Sequence, residues 1–80
     1  MRLPRDLSGR ELAAALATLG HSVDRQTGSH VRLTTQREGE HHVTIPDRNP
    51  IKLETLGGVL RDVAEHFGLS RDELLRLLFD

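Results

Sequence analysis

Residues 25–33, with the sequence RQTGSHVRL, constrain the fold of this chain most. One strand ends before a tight turn at residues 27–29, and a second strand starts at His30. In that second strand apolar residues alternate with His30 and Arg32, so we expect the apolar side chains to face a core and these two to face outward. The stretch therefore predicts a β-hairpin with a three-residue turn.

The register of this hairpin follows from matching apolar with apolar residues. The implied cross-strand pairs are Gln26 with His30, Asp24 with Arg32 and Val23 with Leu33. In this register Val23 points inward. Arg25 also falls on the core side near the end of the sheet, where its aliphatic stem can lie along apolar surface.

A second turn and a third strand follow the hairpin. Residues 37–39 form the turn, the strand covers residues 40–45, and Pro46 ends the pairing. His42 then faces Thr34 on the same outer face as His30. The two histidines are separated by about four residues, or ~13 Å at the rise of a strand, which is too far for a shared metal ion. His41 points to the other face.

Three helices complete the chain. Ser8 and Glu11 have the spacing of a capping box and predict a helix over residues 9–19. An apolar stripe over residues 56–67 predicts a second helix, which Gly68 ends. A second capping box at Ser70 predicts a short helix over residues 70–80. The order α-β-β-β-α-α indicates an α+β two-layer sandwich, with helices on one face of a three-stranded antiparallel sheet. This order resembles the topology of double-stranded-RNA-binding domains.

The composition excludes several classes of protein. The chain has 80 residues and no cysteine, so we expect one domain over residues 1–80 without disulfides or thiolate metal sites. It has no apolar run long enough to span a membrane, which makes the cytoplasm the expected location. The terminal helix carries more apolar residues than one narrow face needs, so we expect some of them, Leu75, Leu78 and Phe79 among them, to cover a partner; a homo-oligomer is an open alternative.

The net charge of −1 limits nucleic-acid binding to a local basic surface. His30, flanked by Arg25 and Arg32 and preceded by Gly28 and Ser29, has the residue types needed to transfer a proton beside a phosphate. The alternative is an ordinary solvent-facing histidine in a hairpin. The residues of this stretch alone leave both interpretations open, because a single histidine carries no geometry by itself.

Four segments resemble the HicA (YcfA-like) family, and together they cover nearly the whole chain. They are residues 3–11 before the first helix, residues 25–30 with the Gly-Ser-His turn, residues 42–46 of the third strand and residues 56–62 of the second helix. The turn is the most specific of them. The resemblance implies a toxin of a type II toxin–antitoxin pair with a fold like the double-stranded-RNA-binding domain. It also implies cleavage of mRNA without a metal or another cofactor, and a HicB antitoxin that covers the active site.

By the same resemblance, His30 is the catalytic residue of a small endoribonuclease. Arg25, Gly28, Ser29 and Arg32 are the candidates for binding the RNA substrate, and no residue is assigned to a metal. The alternative from a different class is a non-catalytic RNA-binding or antitoxin-titrating module, which the acidic charge balance and the lack of aromatic residues on the strands favour. A purely structural partner subunit is a third alternative.

Overall fold

The computed structural model describes residues 3–79 of the chain. Its elements in chain order are α1 (Gly9–Ala17), β1 (Ser22–Thr27), β2 (His30–Thr35), β3 (His41–Pro46), α2 (Leu53–Phe67) and α3 (Arg71–Phe79). The strands form one antiparallel sheet in the order β1-β2-β3. The predicted α+β fold with the order α-β-β-β-α-α is confirmed.

One apolar cluster joins the sheet to all three helices. Its buried members on the sheet are Val31, Leu33, Val43 and Ile45, and its buried members on the helices are Leu12, Leu16, Leu56, Leu60, Val63, Ala64, Leu74 and Leu75. On β2 and β3 the buried residues alternate with exposed or half-buried ones. The helices therefore cover one face of the sheet, and the other face is open to solvent.

Both predicted capping boxes are present. The Ser8 hydroxyl accepts from the Glu11 amide at 3.0 Å, and the Glu11 carboxylate accepts from the Ser8 amide at 2.9 Å. Ser70 and Glu73 make the same reciprocal pair at 3.1 and 2.8 Å. These contacts satisfy amides that the helix leaves unpaired at its start, and they lower the pKa of both glutamates below the ordinary value. Local sequence thus fixes where α1 and α3 begin.

The first hairpin differs from the predicted one at its turn. The turn has two residues, Gly28 and Ser29, so Thr27 rather than Gln26 lies opposite His30. Gly28 has a φ of +55°, and a glycine with positive φ at the first position is what type II′ turns use. The predicted pairing of Val23 with Leu33 is nevertheless restored, because a β-bulge between Val23 and Arg25 absorbs the extra residue.

The bulge overturns the predicted direction of Arg25 but not that of Val23. Arg25, and not Asp24 as predicted, lies opposite Arg32, and Arg25 is exposed rather than on the core side. Val23 keeps the predicted pairing with Leu33 on the core side, but it is 52% exposed. It belongs to β1, the edge strand whose residues are all exposed. Register alone does not bury a side chain at a sheet edge.

The register of β2 against β3 agrees with the sequence prediction, but β3 begins at His41 and its pairing includes Pro46, which was expected to end it. Arg32 lies opposite Thr44 and Thr34 lies opposite His42, while His30 lies opposite Pro46. His30 and His42 are therefore four residues apart along the ladder, as expected. Within residues 3–79 no group of three or more histidine, cysteine or carboxylate side chains could hold a metal ion.

The terminal helix belongs to the core of this chain, contrary to part of the prediction. Leu74 and Leu75 are fully buried, and Leu78 and Phe79 pack half-buried against the same cluster. Only Leu77 among the apolar residues of α3 is exposed, at 55%. Leu75 is therefore not available to a partner. None of the helices formed by residues 3–79 is long and apolar enough to cross a membrane.

Candidate functional site

His30 stands at the first position of β2, directly after the Gly28-Ser29 turn. Its side chain is exposed, and its Nδ1 lies 3.5 Å from Ser29 Oγ, at the outer limit of a hydrogen bond. The strand fixes the backbone of His30 while the imidazole stays accessible to a substrate. Such a placement suits a group that transfers protons.

Backbone hydrogen bonds hold the segment after β3 beside this turn. The amide of Asp47 donates to the carbonyl of Ser29 at 2.6 Å, and the amide of Gly9 donates to the carbonyl of Arg48 at 2.8 Å. The amide of Ile51 donates to Leu7 at 2.8 Å, and the Ile51 side chain is buried. The segment of residues 47–52 is therefore fixed at both ends.

A pocket of about 240 Å³ opens where these segments meet, and we call it the His30 pocket. Its lining consists of His30, Pro46, Arg48, Lys52 and Thr55. Among residues 3–79, two that line the pocket are cations and none is a carboxylate. The volume is below the range of roughly 300–1,000 Å³ that encloses a whole small molecule. The pocket therefore suits one anionic group of a longer substrate.

The outer face of the sheet carries a polar network that involves Arg32. Its guanidinium donates to both carboxylate oxygens of Asp24, at 2.9 and 3.2 Å. The Thr34 hydroxyl donates to the same carboxylate at 2.5 Å and lies 2.6 Å from His42 Nδ1. His42 Nε2 lies 3.0 Å from a Glu40 oxygen.

This network changes the electrostatics of Arg32. The hydrogen bonds from Arg32, followed by the one from Thr34, lower the pKa of Asp24 from 3.8 to about 2. The carboxylate in turn raises the pKa of Arg32. Both groups are therefore charged, and their charges offset each other on this surface. Arg32 lies on the predicted face, but its donors are occupied by Asp24.

The structure brings together some of the sequence-predicted site residues. Gly28, Ser29 and His30 are adjacent at the turn. Arg25 lies two cross-strand pairs from the His30 end of β1 and is exposed, and its side chain makes no hydrogen bond or ion pair within residues 3–79. Arg25 is thus available on the outer face, whereas Arg32 is engaged.

Sequence reasoning missed Arg48, Lys52 and Thr55, which line the His30 pocket. They are separated from His30 by 18 residues or more, and no periodic pattern links them to the hairpin. One signal was available: two cations lie close together in a segment that joins a strand to a helix, where backbone geometry can direct both toward one point.

A second cavity, of about 640 Å³, lies away from His30. It is formed by the exposed side of α2 together with Leu3, Leu69 and Arg71. Arg61 and two glutamates of α2 also line it, so its charges are mixed. It contains no histidine, and its larger volume does not make it the better candidate for chemistry.

Comparison with known proteins gives one result. A family model described as the HicA toxin of bacterial toxin–antitoxin systems matches residues 9–64. The chain belongs to the HicA toxin family. No curated protein and no solved structure matches it.

The match covers the parts of this HicA-family toxin that build the site. Residues 9–64 include α1, the three strands, the 47–52 segment and most of α2, and therefore every residue of the His30 pocket. Helix α3 lies outside the matched range. Membership in the family makes the protein the toxin of a toxin–antitoxin pair, with an antitoxin as its partner.

Proposed function

We propose that this toxin is a metal-independent endoribonuclease that cleaves mRNA, with His30 as its proton-transferring residue. The observation that carries the proposal is the exposed imidazole of His30 at the edge of a small pocket lined by two cations. An imidazole next to positive charge is the arrangement that phosphodiester cleavage needs, since one group moves protons and the others bind the phosphate.

The proposed reaction is attack of a ribose 2′-OH on the adjacent phosphate. The 2′-oxygen forms a bond to phosphorus, and the bond from phosphorus to the 5′-oxygen of the next nucleotide breaks. The 2′-OH loses one proton and the leaving 5′-oxygen gains one, so the products are a 2′,3′-cyclic phosphate and a 5′-OH. His30 takes the first proton or supplies the second. Neither water nor an oxidant enters the step.

Cleavage of mRNA in buffer that contains EDTA tests this proposal. The wild-type protein should cleave, and His30→Ala should lose roughly 10²–10⁴-fold in rate, the usual contribution of general acid–base catalysis. The matched control is His42→Ala, because His42 is also exposed on the outer face but lies four residues away along the ladder. It should cleave at the wild-type rate.

Three results would contradict the proposal. Cleavage by His30→Ala at the wild-type rate would show that His30 has no catalytic role. Cleavage that stops in EDTA and returns with Mn²⁺ would show that a metal takes part. RNA retardation in a gel without any cleavage would favour the non-catalytic RNA-binding module instead.

We further propose that the antitoxin is HicB-like and inhibits by covering the outer face of the sheet around His30. An inhibitor that competes with RNA should present carboxylates to the cations beside His30, among them Arg25. The exposed Leu77 on α3 offers apolar contact area for the same partner. Since Leu75 is buried, this apolar area is smaller than the sequence indicated.

A further inference from the structure

The cations predicted from sequence are not equivalent in the folded protein. Arg32 gives two donors to Asp24 and is only partly exposed. Arg48 and Lys52 are exposed, and their side chains make no hydrogen bond or ion pair within the described part of the chain. A phosphate that approaches His30 can therefore recruit Arg48 and Lys52 without breaking an existing ion pair.

The carboxylate closest in sequence to these two cations does not neutralise them. Asp47 is paired with Arg10, with 3.3 Å between the carboxylate oxygen and the guanidinium nitrogen. Glu54, in the first turn of α2, lines the larger cavity and not the His30 pocket. The His30 pocket is therefore locally basic on a protein whose net charge is −1.

The backbone around the two cations is fixed before any ligand binds. Arg48 follows Asp47, whose amide is bound to the Ser29 carbonyl next to His30. Lys52 and Thr55 lie at the start of α2, whose first backbone hydrogen bond runs from Leu56 to Lys52 at 2.9 Å. Because the backbone at Arg48 and Lys52 is already fixed, less conformational entropy is lost when their side chains order around a bound anion.

We propose that Arg48 and Lys52 bind the scissile phosphate of single-stranded RNA beside His30, with the Thr55 hydroxyl as a further donor. This assignment rests on the ribonuclease function proposed above. Two cations at the non-bridging oxygens stabilise the negative charge that builds up on these oxygens as the 2′-oxygen attacks. Arg25, two cross-strand pairs away on the outer face, then contacts a neighbouring phosphate of the same strand.

The affinity for an uncleavable RNA tests the phosphate site at Arg48 and Lys52 separately from the catalytic role of His30. A single-stranded RNA with 2′-O-methyl riboses cannot supply the attacking hydroxyl, so its affinity is measurable whether or not the protein is a nuclease. Fluorescence anisotropy at several salt concentrations would give the dissociation constant and its salt dependence. We expect Arg48→Ala and Lys52→Ala each to weaken binding by about tenfold, as for a lost charged hydrogen bond.

Each of these variants should also reduce the slope of log affinity against log salt by about 0.7, the value for one phosphate contact on a single strand. The matched control is Arg61→Ala, which removes the same charge from an exposed position of α2 at the other cavity. It should bind RNA with a nearly unchanged slope. Lys52→Arg keeps the charge and should recover most of the affinity that Lys52→Ala loses.

Cleavage of unmodified RNA gives the second readout. Arg48→Ala and Lys52→Ala should lower kcat as well as affinity, because the contacts strengthen as charge develops on the phosphate. Thermal denaturation of each variant shows whether its fold is intact, and both side chains are exposed.

Three outcomes would overturn the assignment. The first is wild-type binding and cleavage by the Arg48→Ala, Lys52→Ala double variant. The second is a larger loss of RNA affinity and cleavage rate for Arg25→Ala than for either pocket variant, which would place the scissile phosphate beside Arg25 and not in the His30 pocket. The third is a wild-type protein that does not bind the modified RNA. A protein that binds it in the expected pattern but never cleaves RNA would contradict the ribonuclease function alone and leave the phosphate site intact.

Discussion

Asp24 and Arg32 form a two-point ion pair on the open face of the sheet, with N–O distances of 2.9 and 3.2 Å. The β-bulge in β1 makes this ion pair possible. Arg25 is the cross-strand partner of Arg32, and Asp24 lies next to Arg25 within the bulge. Asp24 therefore neutralises Arg32, whereas the side chain of Arg25 on the same face has no carboxylate partner within residues 3–79. The electrostatics of the outer face depend on this difference.

Removal of the Asp24 carboxylate should strengthen RNA binding. Asp24→Ala releases the guanidinium of Arg32 and deletes one negative charge, and we expect about fivefold tighter binding of the 2′-O-methyl RNA at low salt. The double variant Asp24→Ala, Arg32→Ala should lose this gain. If Asp24→Ala binds RNA no better than the wild type, then the outer face near Arg32 does not contact RNA.

The same carboxylate should contribute to acid sensitivity. The pKa of Asp24 is lowered to about 2 in the folded protein, so the ionised form stabilises the fold at pH values above its ordinary pKa of 3.8. This contribution is lost as the pH falls from about 4 towards 2. The urea midpoint of the wild type should therefore approach that of Asp24→Asn over this interval. A constant difference between the two midpoints from pH 5 to 2 would contradict the assignment.

Two neighbouring leucines of α3 should respond differently to truncation. Leu75 is fully buried, so Leu75→Ala should cost about 2–5 kcal/mol in the free energy of unfolding. Leu77 is 55% exposed, and Leu77→Ala should stay within about 0.5 kcal/mol of the wild type. Chemical denaturation measures both values. Equal effects at the two positions would mean that α3 does not pack as described.

Leu77 should instead matter for the antitoxin. A charged side chain in an apolar contact must lose its hydration, so Leu77→Glu should weaken antitoxin binding by about tenfold or more without loss of the fold. The matched control is Ala14→Glu, because Ala14 is also exposed but lies on α1, away from the residues that line the His30 pocket. Titration calorimetry with purified antitoxin gives both affinities. Wild-type affinity of Leu77→Glu would exclude α3 from the interface.

Mild acid should destabilise the fold through His21. This residue is buried, and its Nδ1 donates to the Leu16 carbonyl at 3.1 Å. Burial lowers the pKa of His21 below 6.5, and the nearby His41 and His66 add to the effect. The Nε2 atom of His41 in turn lies 3.2 Å from a carboxylate oxygen of Asp62.

Since the unfolded chain binds a proton at His21 more readily than the folded one, the free energy of unfolding should fall as the pH drops below about 6.5. His21→Gln removes this titration and should show a shallower decrease between pH 7 and 5. Melting temperatures of the two proteins across this range provide the measurement. Parallel curves would show that other groups carry the acid sensitivity.

Local sequence was sufficient for the elements and for most of the pairing. The Ser8 and Ser70 capping boxes set the starts of α1 and α3, because each contact joins residues only three apart. The alternation along β2 fixed which side chains face the core, and a one-residue slip against β3 would have exposed them. The position of His30 on the outer face followed from the same alternation.

The tertiary structure decided what lies around His30. The bulge that turns Arg25 outward and makes it the cross-strand partner of Arg32 depends on a turn one residue shorter than the pattern indicated. Arg48 and Lys52 reach His30 only because backbone hydrogen bonds dock the 47–52 segment against the hairpin and α1. Contacts between residues so distant in sequence leave no periodic signal, so the cations beside the histidine emerge only once the chain is folded.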